Sequence, residues 1–261
     1  MEGASGVIAL VLAETAAGSA AVLWLTGFWG KVKRGFFILT TATVLVCALL
    51  TALTADAARA SGSGEAARLV ALLAIALSAL AGLSLIALIA RRGTAARALG
   101  LASVPAGLAL LVAMARVAES SGVVAALQLL AGAAFMGAAT VGLLLGHWYL
   151  VDRGLSRDHI QRLALVLIGA VLVEAVAVIA GLPGETPPTE GFSPFLTVGG
   201  GGIQLAIVLG MVAITALIAF LIRAALRETR PRAVQAATGF FYLAVITAFT
   251  AELAAKVRFL G

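Results

Sequence analysis

Apolar residues run almost unbroken through eight stretches of this chain, about 8–28, 36–55, 67–90, 98–117, 123–150, 161–181, 202–224 and 235–256, with charge collected between them. Each stretch reaches the roughly 20 residues that a helix needs to cross a bilayer. None alternates apolar and polar residues in short segments, which is the pattern of a lipid-facing barrel strand. Lipid offers the backbone no hydrogen-bond partner, so runs of this kind must satisfy their peptide groups as helices. The expected fold is therefore all-α: a polytopic integral membrane protein with eight transmembrane helices. No basic residue precedes the first run, whereas Lys31, Lys33 and Arg34 follow it. That is the reverse of a cleavable signal peptide, and the run is expected to stay in the membrane.

Two segments of the pattern repeat each other. Gly18–Phe36 lies over Gly137–Leu155 with nine identities in nineteen ungapped positions, among them Gly27/Gly146, Trp29/Trp148 and Arg34-Gly35/Arg153-Gly154. Weaker matches extend the likeness, Leu85-Ile-Ala with Leu217-Ile-Ala and Ala115-Arg-Val with Ala255-Lys-Val. The expectation is two tandem parallel four-helix repeats, residues 1–119 and 120–261. An even number of spans per copy keeps both in the same orientation, related by a pseudo-two-fold along the membrane normal. Phe28 in the first copy is replaced by His147 in the second.

Composition agrees with the pattern: 62% of the residues are hydrophobic and only 11% charged. A soluble domain of this size could not bury so much apolar surface. Positive charge follows every odd span (Lys31, Lys33, Arg34; Arg91, Arg92, Arg97; Arg153, Arg157, Arg162; Arg223, Arg227, Arg230, Arg232), and the other connections are neutral or acidic on balance. By the positive-inside rule these four loops are cytoplasmic and both termini lie outside, as in a bacterial-type inner (plasma) membrane. The net charge of +6 thus records topology, and no nucleic-acid partner follows from it. The longest connection, Gly181 to Gly202, is rich in Pro and Gly and carries Phe192, Phe195 and Leu196. It is either a lid or docking surface, or a spacer.

Three carboxylates fall inside the spans: Glu14, Glu174 and Glu252. A charge in hydrocarbon costs several kcal/mol and is kept where it has a task or a partner. All three are expected in the outer half of the bilayer. None is shared between the copies, since Glu14 aligns with Ala133, Glu252 with Val112 and Glu174 with a position near Thr51 or Ala52. Each is either a proton-handling or quinone head-group residue or a structural hydrogen-bonding group. For Glu252 an ordinary i,i+4 pair with Lys256 is also available. Arg116 and Lys256, matched across the copies, are expected to snorkel to the outer surface. His147, in Gly146-His-Trp-Tyr-Leu150 at the cytoplasmic edge, either bonds a quinone carbonyl, with Trp148 beside it, or is satisfied by a loop carbonyl.

Cofactor ligands are scarce. The two histidines, His147 and His159, flank one short loop, and Cys47 is the single cysteine, so haem between paired histidines and an iron–sulfur cluster are not expected in this chain. No Walker, dinucleotide or zinc-protease motif is present. Eight helices in two four-helix units, with in-membrane carboxylates and no cofactor ligands, resemble the NrfD or polysulfide-reductase-type membrane subunits of respiratory complexes. The resemblance is one of architecture, and it implies a quinone (menaquinone or ubiquinone) bound beside one unit. It further implies membrane lipid and an iron–sulfur or cytochrome subunit as partners, with Glu14 and Glu174 handling quinol protons. The competing classes are a proton-coupled transporter of a small solute or ion and a purely structural anchor subunit.

Overall fold

The computed structural model of the chain describes residues 3–30, 32–60, 65–117, 122–152, 154–181, 202–228 and 232–256. The long Pro- and Gly-rich connection, Glu119, Lys31, Arg153 and Arg230 lie outside them. Among these residues eight helices form: α1 (Gly3–Thr26), α2 (Arg34–Ala60), α3 (Glu65–Ile89), α4 (Gly93–Val117), α5 (Gly122–Val151), α6 (Asp158–Gly181), α7 (Gly202–Ala225) and α8 (Arg232–Lys256). All eight are long and apolar enough to cross a membrane. The protein is thus a polytopic helical membrane protein, as the hydropathy pattern implies. Most helices overrun their apolar stretch by several residues, because polar residues continue a helix beyond the hydrocarbon and hydropathy registers only the apolar part. The overrun is five residues at the start of α1 and at the start of α4.

Polar side chains within the bundle close on their own backbone. Thr15 donates to the Val11 carbonyl at 2.7 Å, Ser78 to Ala74 at 2.8 Å and Thr238 to Val234 at 2.8 Å. Such bonds replace the water that the bilayer lacks. Ser84 instead crosses from α3 to the Ala96 carbonyl of α4 at 2.9 Å.

The helices are not equivalent. In α1 and α5, 78% of the most apolar window is buried, against 33–44% in the other six. These two helices form the centre and pack on each other. Around them, α2 and α4 flank α1, α6 and α8 flank α5, and α3 and α7 complete the outer wall against α2 and α4 and against α6 and α8. Large apolar side chains such as Leu53, Ile86, Leu172, Val176, Phe220 and Ile246 point outward. That belt is the surface lipid covers, and in water it would drive aggregation.

The α1–α5 approach depends on glycine. A Cβ built on Gly18 would fall inside the Ala133 carbonyl, and one on Gly137 inside the backbone of Gly18. With no side chain between them the backbones touch, as small-residue crossings in membranes allow. At the end of the bundle where the basic connections gather, Lys33 Nζ pairs with Asp152 Oδ1 at 3.0 Å. Both contacts join residues 119 apart, the offset of the matching segments.

Gly18→Ala should therefore lower stability by about 1–3 kcal/mol, the usual cost of overpacking. Gly169→Ala, where an added Cβ meets nothing within 4 Å, should leave it unchanged. Unfolding midpoints in detergent measure both.

Candidate functional site

One turn from the α1–α5 crossing, on the side away from the basic connections, three helices deliver charge to a single point. Glu14 projects from the middle of α1, roughly 16 Å from its first residue at a rise of about 1.5 Å per residue. Glu252 and Lys256 project from the last turns of α8. Lys256 Nζ lies 2.8 Å from Glu14 Oε1 and 2.8 Å from Glu252 Oε2. All three side chains are sealed from the surface, at 0–1% exposure. One ammonium thus clamps two carboxylates, one on its own helix and one across the bundle.

Gly132 of α5 makes room for the clamp. A Cβ there would come within 2.6 Å of Glu14 Oε1 and 2.8 Å of Glu252 Oε2. The fourth member is Glu174 of α6, buried at 2% and within electrostatic reach of both Glu14 and Lys256. Glu14 Oε2 and Glu252 Oε1 accept no hydrogen bond among the described residues. Among the described residues, Glu14 and Glu252 thus share the single ammonium of Lys256 in a region closed to solvent, with Glu174 nearby. With both carboxylates ionised the pair would outnumber its cation, and a buried ion short of a partner costs several kcal/mol. Chemically, this is an arrangement with capacity for protons.

The structure brings together Glu14, Glu174 and Glu252 but separates His147 and Trp148 from them. His147 is exposed at the basic end of α5, fifteen residues from Gly132, or roughly 22 Å along the helix. Trp148 is half-buried, and its ring occupies the space above Gly35 where a Cβ would stand. That length agrees with the opposite membrane edges expected for His147 and the glutamates, and Trp148 packs between the matched segments beside His147.

Lys256, expected to snorkel to the surface, is buried in the structure. Its aligned mate Arg116 is exposed, as a snorkelling residue should be, but Lys256 turns inward. The reason is the pair of carboxylates that only α8 meets, since the position of Glu252 is Val112 in the first copy and that of Glu14 is Ala133 in the second. The i,i+4 spacing of Glu252 and Lys256 was readable in the sequence. Capture of Glu14 by the same lysine was not.

Comparison of the chain with protein-family models, with characterised proteins and with solved structures found no match.

Lys256→Met would leave facing carboxylates without a cation and should destabilise the protein by about 3–5 kcal/mol at neutral pH. The defect should shrink as pH falls, because protonation removes the charges left unpaired, and it should grow as pH rises. Adding Glu14→Gln and Glu252→Gln to the same chain should recover most of the loss. Unfolding of the wild type and these two variants across a pH series decides this.

Proposed function

We propose that the protein handles protons within the membrane, with Glu14, Glu252 and Lys256 as the exchanging groups and Glu174 as their neighbour. The observation that carries this reading is the clamp itself, two carboxylates on one ammonium, all three sealed inside the bundle. A merely structural link needs one carboxylate for one lysine. Extra carboxylates held close to it give the site room to take a proton without acquiring an unpaired charge.

In this reading the chain is a cofactor-free membrane subunit of an electron-transfer complex that binds quinol. A quinol loses two protons and two electrons on oxidation. The protons pass to the carboxylates around Lys256, and the electrons leave to a partner iron–sulfur or cytochrome subunit. Positive charge at the opposite end of the bundle makes that end cytoplasmic, so the protons are released to the outside of a bacterial-type inner membrane. The architecture-level resemblance to NrfD-type subunits supports the quinone assignment.

The two halves, 1–119 and 120–261, are read as copies about a pseudo-two-fold axis. When a two-fold relates residue i to i+119, a residue that touches its own mate lies on the axis. The contacts of Gly18 with Gly137 and of Lys33 with Asp152, each between residues 119 apart, support this reading.

A second reading is favoured by one observation: Lys256 bonds its own helix through Glu252 and the first half through Glu14. Protonation of either carboxylate would shift the lysine to the other, coupling a proton to the contact between halves. That is the behaviour of a proton-coupled transporter.

Under the first reading, Glu14→Gln and Glu174→Gln cut quinol-linked turnover on the order of 100-fold, the usual contribution of a positioned acid or base, with assembly intact. Arg116→Gln leaves it unchanged. The readout is quinol oxidation by native membranes together with co-purifying cytochrome or iron–sulfur protein. Wild-type turnover in both glutamate variants would sink the mechanism. Solute-dependent proton uptake by the purified chain alone in liposomes would establish the transporter in its place.

A further inference from the structure

At the basic end of the bundle a cavity of about 550 Å³ opens between the α1–α2 and α3–α4 connections. Its rim carries three guanidinium groups, Arg34, Arg91 and Arg97, and its floor is Trp24, Phe37 and Leu88. Among the described residues no acidic side chain lines it. Two of the arginines are held in place. Arg34 Nη1 donates to the Leu88 carbonyl at 3.2 Å, and the Arg97 guanidinium sits 5.0 Å from the centre of the Phe28 ring. Arg91 stands at the turn between α3 and α4 with a left-handed φ of 59°. Trp24 is buried, with its ring packed against Gly100 of α4 and tilted on Phe37. The floor is therefore preformed.

We propose that this cavity is a binding site for an anionic phospholipid of the adjacent leaflet, with its phosphate among Arg34, Arg91 and Arg97. The glycerol and first methylenes lie over Trp24 and Phe37. Charge complementarity selects an anion, since planar guanidiniums match phosphate oxygens through paired donors. The apolar floor selects an amphiphile over a free ion. Leu25 and Ile89, each the chain neighbour of a lining residue, are exposed on the lipid-facing surface and continue the apolar path for an acyl chain.

At the corresponding end of the second half the described residues make a different lining. Its cavity is lined by Tyr149, Leu155, Arg157 and Arg232, and Arg157 is already committed to the Glu228 carbonyl at 3.0 Å. His147, the counterpart of Phe28, is exposed.

The test uses the full chain in nanodiscs of mixed phosphatidylglycerol and phosphatidylcholine with matched acyl chains. Lipid retained after detergent extraction is counted by native mass spectrometry. Wild-type protein should retain phosphatidylglycerol in preference. Arg91→Gly with Arg97→Gln should lower that preference about tenfold or more, the value of losing one charge-assisted hydrogen bond. Glycine at position 91 keeps the left-handed turn, so the backbone is not disturbed. Equal melting temperatures of the two proteins in pure phosphatidylcholine check that the fold survives. Inorganic phosphate should not displace the lipid. Unchanged preference in the double variant overturns the site, and displacement by inorganic phosphate overturns the lipid as its occupant.

Discussion

The contact between α1 and α5 at Gly18 and Gly137 is the constraint on which the rest of this bundle depends. Two helices can touch backbone to backbone only where neither has a side chain, and that requirement is met at one level along each helix. Once the crossing is set, Glu14 lies a turn from it on α1 and Gly132 a little more than a turn from it on α5. The carboxylate is thereby delivered to the one stretch of α5 that has room for it. The remaining six helices pack around this pair and present their outer faces to lipid.

Holding charge at that place is expensive, and the geometry shows how the expense is met. Lys256 supplies one cation to two carboxylates at 2.8 Å each, so the ion pair has a helical half and a tertiary half. An i,i+4 pair on a solvated helix contributes a few tenths of a kcal/mol. The same pair sealed from water matters far more once either partner is lost, because the remaining ion cannot be rehydrated. The proton-handling reading follows from the two carboxylates, Glu14 and Glu252, that share one lysine in that environment.

Much of the fold was legible in the sequence. Eight apolar stretches gave eight helices, with ends displaced by a few residues because hydropathy senses hydrocarbon and not helix. The three glutamates also stood out, since lipid makes any buried carboxylate conspicuous. Lys256 was misread for a specific reason. Its aligned partner Arg116 is exposed, and alignment carries a side chain's environment from one copy to the other only where the neighbours are shared. Here they are not. His147 drew notice as a departure between the copies, yet the distance along α5 sets it apart from the carboxylates.

By itself the sequence determined the class of protein, the number of helices and the end of the bundle where positive charge gathers. These are properties of single segments, and they follow from the absence of water in the bilayer core. Tertiary structure alone decided which helices lie at the centre, which carboxylates meet and where the lysine points. Those outcomes depend on rotation of each helix about its axis and on close approach at particular glycines. Neither is encoded in hydropathy, because an apolar helix in lipid is nearly as stable facing any direction until a neighbour fits against it.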